Sequence, residues 1–98
     1  MLSGNVEPPQ GVELLKDIRG VFDNLGAGRI SSGDLCRELV ELSDRPWGEF
    51  RRGFSLSQNQ LAQLLKPFGI RPHVVRIGEK TPRGYEHADF EDAFARYL

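Results

Sequence analysis

The segment "SLSQNQLAQLLKPFGIRPHVVRIGEKTPRGYE" (Ser55–Glu86) is the most informative about the fold, because the spacing of its hydrophobic residues changes halfway along. An S-x-x-Q pattern starting at Ser57 is typical of a capping box and predicts the beginning of a helix. Leucines then recur at helical spacing until Pro67, which marks the end of the helix. The first half of the segment therefore predicts a short amphipathic helix.

The second half of the segment has the alternating pattern of a strand. Val75 and Ile77 alternate with other side chains, and residues 78–84 carry the Gly, Pro and charged residues of a hairpin tip. Residues 84–86 then predict a short returning strand. The whole segment predicts a helix followed by a β-hairpin.

Upstream of this segment, the pattern predicts two more helices and a strand between them. Apolar residues at three- and four-residue steps indicate a helix from near Gln10 to Leu25, which Gly26 ends. Ile30, between polar neighbours, is expected to add one edge pairing to the sheet of the hairpin. Ser31 or Ser32 is expected to cap the second helix.

A last helix is predicted downstream, over Asp89–Leu98, with Phe90, Ala93, Phe94 and Tyr97 on its inward side. The order is then helix, short strand, helix, loop, helix, hairpin and helix. This order predicts a mostly α fold with a small β-hairpin, of the winged helix–turn–helix type.

Length and composition predict one domain of 98 residues, with a flexible lead-in over residues 1–10 and a single winged-helix-like domain over 11–98. No apolar run is long enough for a membrane span, and the first residues lack the features of a signal peptide. The single cysteine, Cys36, fits a reducing cytoplasm, and its apolar neighbours predict a buried thiol. We therefore expect a cytoplasmic protein.

The stretch "FDNLGAGRISSGDL" resembles a calcium-binding loop but lacks its ligands. With Asp23 at loop position 1, the ligand positions 3 and 5 fall on Leu25 and Ala27, which offer no side-chain oxygen. Asp34 stands at position 12, where a longer glutamate is needed to chelate with both oxygens. The stretch is interpreted as a connector between helices, and no metal or cofactor is expected.

Catalytic motifs are absent from the sequence. It has no phosphate-binding G-x-x-x-x-G-K-[ST] loop and no G-x-S-x-G nucleophile elbow. Its two histidines, His73 and His87, have no close cysteine or second histidine at the spacing of a metal site. The sequence therefore predicts a protein that is not an enzyme.

Charge is unevenly distributed along the chain, although the total is only −1. Residues 46–85 hold 7 basic and 2 acidic side chains, whereas residues 1–45 and 86–98 each carry a net charge of −3. A basic middle between acidic ends favours a face that binds a polyanion. Chance segregation of charge in a small protein is an equally good reading of this fact taken alone.

The predicted helix and hairpin supply the residues of a DNA-binding surface. Helix–turn–helix modules place the second helix of the pair in the major groove, where Asn and Gln can bond adenine and basic residues hold phosphates. The candidates are Arg51, Arg52, Gln58, Asn59, Gln63, Lys66, Arg71, His73, Arg76, Lys80 and Arg83. The alternative is that these residues bind no ligand, because a solvated polar helix beside a charged hairpin would carry the same residue types.

The loop between the second and third helices contains Trp47, Phe50 and Phe54. We expect these large side chains to pack under the loop as a small cluster. If they were exposed instead, they would form an aromatic patch suited to a protein partner. Their burial is therefore one way to separate a DNA-binding module from a protein-interaction module.

Four blocks of sequence resemble a known family. They are "LLKDIRGVF" (Leu14–Phe22), "DRPWGEF" (Asp44–Phe50), "LAQLLKPFGIRP" (Leu61–Pro72) and "RGYEHADFEDAFARYL" (Arg83–Leu98). The chain resembles the C-terminal segment of an uncharacterised bacterial family that carries a domain-of-unknown-function label. Its members occur in plasmid-, phage- and mobile-element proteins, often behind a helicase- or primase-like ATPase region. The resemblance supplies no catalytic residues.

Taken together, these patterns predict a non-enzymatic DNA-binding accessory module of a replication or mobile-element protein. The resemblance implies a helicase or ATPase region, in the same or another chain, as a further partner. A protein–protein interaction module on the same winged-helix scaffold is the alternative.

Overall fold

Four α-helices and a small sheet form where the spacing of apolar residues predicts helices and strands. A computed structural model describes residues 9–50 and 53–98 of the chain. The elements are α1 (Pro9–Leu25), β1 (Arg29–Ser31), α2 (Ser32–Val40), α3 (Gln58–Leu65), β2 (His73–Val74), β3 (Arg83–Glu86) and α4 (His87–Tyr97). The prediction of a mostly helical fold with a small antiparallel sheet is confirmed. In the described part of the chain, no helix is long and apolar enough to cross a membrane.

The turn after α1 has the structure of a connector. Gly26 has a φ of +64°, and its N–H donates to the Phe22 carbonyl over 2.9 Å, which ends the helix. The hydroxyl of Ser31 accepts a hydrogen bond from the Asp34 N–H at 3.1 Å, so Ser31 is the cap of α2. Asp34, considered above as a calcium ligand, forms an ion pair with Arg37 at 2.8 Å.

The sheet has the strand order β1-β3-β2, and both pairings are antiparallel. Ile30 lies opposite Tyr85, which confirms the predicted edge pairing, and both side chains are buried in the core. The hairpin strand is shorter than predicted. Val75 donates to the carbonyl of Pro82, but Pro82 has no N–H to return the bond, so the regular ladder is interrupted there.

Helix α4 begins two residues before the predicted start. Glu86 and Asp89 form a capping box, in which each side chain accepts a hydrogen bond from the backbone N–H of the other. Phe90, Ala93 and Phe94 are buried as predicted. Tyr97 is 48% exposed, contrary to the prediction, because it lies in the last turn of the helix. Its ring meets the ring of Phe68 edge-on, with centroids 5.1 Å apart.

The loop aromatics have separate environments. Trp47 is fully buried, and its indole N–H donates to Asp17 over 2.7 Å. Phe50 is half-buried beside Trp47, with ring centroids 5.9 Å apart. Phe54 is 75% exposed, so the prediction that all three pack under the loop is wrong for this residue. One large indole, hydrogen-bonded to α1, is enough to anchor the loop.

Two further predictions concern the first residues and the thiol. Most of the predicted lead-in, residues 1–8, lies outside the described part of the chain, and Gln10 belongs to α1. Cys36 is buried, as predicted, and burial raises the pKa of its thiol to about 11.

Candidate nucleic-acid interface

Helix α3 is held at its start by its own side chains and at its inner face by the core. The hydroxyl of Ser57 accepts from the Gln60 N–H at 3.1 Å, and the Gln60 side-chain oxygen accepts from the Ser57 N–H at 2.9 Å. Leu61 and Leu65 are fully buried. The predicted capping box and inward face are confirmed, and the opposite face of the helix is left to solvent.

The exposed face of α3 carries Asn59 and Gln63, and it continues into Lys66 at the end of the helix. All three residues are among the predicted DNA contacts. After Lys66 the chain makes a short 3-10 turn, and Gly69, with a φ of +78°, reverses its direction. Ile70 is buried there, so the next residue, Arg71, lies at the surface beside the end of α3.

The reversal brings α3 and the hairpin together around one depression of about 290 Å³. We call it the cationic depression, and it is lined by Ala62, Gln63, Lys66, Arg71, Pro72 and Arg83. Arg83 belongs to β3, and its guanidinium donates to the Pro72 carbonyl at 3.4 Å. Four of the residues predicted from sequence are thus neighbours in space, and three of them are cations.

The three cations of the cationic depression form no ion pair among residues 9–50 and 53–98, a property that they share with Arg19, Arg76 and Lys80. Among residues 9–50 and 53–98, five basic side chains pair with a carboxylate: Lys16, Arg29, Arg37, Arg45 and Arg96. Within the same ranges, no carboxylate oxygen lies within 4.0 Å, the limit for an ion pair, of the side-chain nitrogens of Lys66, Arg71, Arg76, Lys80 or Arg83. An unpaired cation retains its full charge for a phosphate ligand.

Arg76 and Lys80 lie apart from the cationic depression. Arg76 lines a second, more open depression of about 380 Å³ with Gly28 and Arg29. The guanidinium of Arg29 donates to the Arg76 carbonyl at 3.1 Å and to Glu86 at 3.1 Å, so β1 fixes the base of the hairpin. The Lys80 side chain is exposed at the hairpin tip, where the backbones of Lys80 and Ile77 form an isolated β-bridge.

His73, predicted to contact phosphate, is engaged within the protein. Its Nε2 lies 2.8 Å from the Asp89 carboxylate and its Nδ1 lies 3.2 Å from the Val74 carbonyl. The hydrogen bond to Asp89 raises the pKa of His73, because a protonated ring can donate from both nitrogens. His73 therefore ties β2 to α4.

One group of described residues has the donor atoms for a metal ion. Ligand atoms of His73, Glu86 and Asp89 lie within 4.8 Å of one another. Each is already engaged, because Arg29 binds Glu86 and the Asp89 carboxylate accepts from both His73 and the Glu86 N–H. Local sequence patterns contain no signal of this group, since only the pairing of β2 with β3 brings the histidine near the two acids.

The remaining predicted residues lie at the start of α3 or outside the described ranges. Gln58 is exposed, but its side-chain nitrogen reaches α2: a Cβ added to Gly33 would lie 3.3 Å from it. Asn59 is exposed on the solvent face. Arg51 and Arg52 fall outside the described residues.

Comparison with known proteins identifies one family. A family model described as "Protein of unknown function (DUF3631)" matches residues 2–97. No curated protein and no solved structure matches the chain significantly.

Proposed function

We propose that this chain, which belongs to the DUF3631 family of proteins of unknown function, is a module that binds DNA through the cationic depression. One observation carries the proposal: Lys66, Arg71 and Arg83, which pair with no carboxylate among residues 9–50 and 53–98, surround one depression in a protein whose net charge is −1. Self-repulsion among unpaired cations is unfavourable for folding, and a bound polyanion relieves it. Such a cluster suits a phosphate ligand.

The arrangement of elements supports a winged helix–turn–helix interpretation. In this proposal α2 and α3 are the helix pair, the β2–β3 hairpin is the wing, and β1 adds an edge strand to the wing sheet. Modules of this type present the second helix of the pair to the nucleic acid. Here the cationic depression lies between that helix and the wing.

We assign the module a non-enzymatic role. The resemblance described above suggests that it serves an ATPase region of a replication or mobile-element protein, in the same or another chain. In that setting, contacts to the DNA backbone would hold the substrate near the motor. The module would supply affinity, and the partner would supply chemistry.

Fluorescence anisotropy with labelled duplex and single-stranded DNA tests the proposal. Binding is expected at low salt and is expected to weaken as salt rises, because each phosphate contact releases a counterion. An absence of binding to both forms at low salt would refute the proposal.

A protein-interaction module is the second candidate, and a specific observation favours it. An apolar groove of about 460 Å³ lies between α1 and the end of α3, lined in part by Val12, Leu64, Phe68 and Tyr97. Grooves of this kind bind partner helices or loops. This candidate predicts that partner binding survives neutralisation of Lys66, Arg71 and Arg83 and is lost on introducing a charge in the groove.

A further inference from the structure

We infer that the module binds the phosphodiester backbone without preference for base sequence, and that α3 does not act as a base-reading helix. This inference rests on the proposed function and specifies the class of ligand that the cationic depression takes. It differs from the expectation drawn from the sequence, in which the opening residues of α3 contact base edges. Two of the polar side chains at the start of α3 make hydrogen bonds within the cap, whereas the cations near its end line the cationic depression.

At the start of α3, the capping box occupies two of the four polar side chains. The Ser57 hydroxyl accepts from Gln60, and the Gln60 side-chain oxygen accepts from Ser57. The cap uses the oxygen of each side chain and stabilises the helix by about 1 kcal/mol. The Ser57 O–H and the Gln60 NH2 can still donate, but a bidentate contact to adenine needs the Gln60 oxygen as well and would compete with the cap.

The next polar side chain, Gln58, leans toward α2 near Gly33. Asn59 is then the one residue of Ser57–Gln60 whose exposed side chain is used neither in the capping box nor next to Gly33. A single amide can specify at most one base pair, and it does so only with good bidentate geometry. The start of α3 therefore has too few free groups to read a sequence.

At the other end of α3, the free groups are cations. Lys66, Arg71 and Arg83 have no carboxylate partner among the described residues, and Gln63 lies among them. Arg binds phosphate oxygens through its planar fork, and Lys acts as a point charge. The C-terminal end of a helix is the negative end of its dipole, so side chains and not helix amides must hold the anion here. Contacts of this kind give affinity and carry no sequence information.

The salt dependence gives a quantitative expectation. If three cations each neutralise one phosphate, the slope of log affinity against log salt is about −2.7 on duplex DNA. Affinity then falls about 40-fold between ~50 and ~200 mM salt. Replacing Lys66 or Arg71 with alanine should reduce the slope by about 1 and weaken every duplex to the same extent. Arg19→Ala is the control, because Arg19 is also exposed and unpaired among the described residues but lines none of the described depressions.

The deciding experiment combines selection from a randomised duplex library with anisotropy on the Asn59→Ala variant, since Asn59 lies outside the cationic depression. We expect no enriched motif and a variant affinity within about twofold of the wild type, because the Asn59 amide does not carry the binding. An enriched motif, or a large loss of affinity in this variant, would overturn the inference while leaving DNA binding intact. Failure of the wild type to bind any duplex or single strand at low salt would overturn the proposed function itself. Circular dichroism of each variant separates loss of binding from loss of fold.

Discussion

Gly84 lies so close to Ile30 that no side chain fits between strands β3 and β1. A Cβ added to Gly84 would overlap the carbonyl oxygen of Ile30 and lie 2.7 Å from the Cα of Ser31. Both obstacles are backbone atoms of the paired strand, which cannot rotate away as a side chain can. The contact fixes the distance between β1 and β3.

Gly84→Ala is therefore expected to lower the free energy of unfolding by about 3 kcal/mol, the upper range for overpacking a core site. Urea denaturation measures the change. Gly20→Ala is the matched control, because a Cβ on this α1 glycine meets nothing within 4 Å. The control should be stabilised by up to about 1 kcal/mol, since alanine favours a helix. Equal stability of Gly84→Ala and wild type would contradict the described strand pairing.

Asp17→Ala tests the anchor of the loop between α2 and α3. The Asp17 carboxylate accepts from the Trp47 indole at 2.7 Å and from Arg45 at 2.7 Å. Alanine would leave the buried indole N–H without a partner, at a cost of about 2 kcal/mol. Chemical denaturation followed by the fluorescence of the single tryptophan reports this change. Asp92→Ala, which removes an exposed pair with Arg96, should change stability by less than ~0.5 kcal/mol.

His73 gives the fold a pH dependence whose sign follows from its contact with Asp89. The hydrogen bond to Asp89 raises the pKa of His73 in the folded protein. The contribution to stability is therefore complete below the ordinary histidine pKa of ~6.5 and is lost as pH rises through the higher folded value. An NMR titration should find a His73 pKa above ~6.5, and Asp89→Asn should return it toward that value. An unchanged pKa in Asp89→Asn would show that the contact is not formed in solution.

Cys36 is expected to react slowly in the native protein. Burial raises the pKa of the thiol to about 11, so at about pH 8 only about one thiol in a thousand is ionised. A thiol reagent should therefore label native protein far more slowly than unfolded protein. Ser43→Cys on a Cys36→Ala background places a thiol at an exposed position and should react at the rate of a free thiol. Equal rates for the two native proteins would contradict the burial of Cys36.

Local sequence patterns predicted the elements of this fold well because their causes are local. The capping box at Ser57 follows from neighbouring residues and is confirmed. The pairing of Ile30 with the hairpin sheet is also confirmed, but it was predicted from the order of the elements and without a register. The early start of α4 was missed because Glu86 is an unusual cap. The exposure of Phe54 was missed because one aromatic, Trp47, already fills the space under the loop.

The candidate site was predictable only in part. Charge counting found the basic stretch, and the structure brings Lys66, Arg71 and Arg83 together. The network that includes Arg29 and Glu86 was not predictable, because its members lie 57 residues apart and meet only once β1 pairs with β3. In the same network Arg29 donates to the Arg76 carbonyl, and Arg76 lines a depression other than the cationic depression. Long-range register decides which cations share a surface, and a single sequence does not specify it.

The DNA affinity of a charge-reversal variant shows whether DNA binds at the cationic depression. The variant carries Lys66→Glu, Arg71→Glu and Arg83→Glu, and the control carries the same change in net charge at Lys16, Arg19 and Arg96, none of which lines the cationic depression. At low salt, anisotropy should show more than about a 10-fold loss for the first variant, because three phosphate contacts are replaced by repulsion, and a much smaller loss for the control. Equal losses in the two variants, with both folded, would contradict a DNA-binding site at the cationic depression.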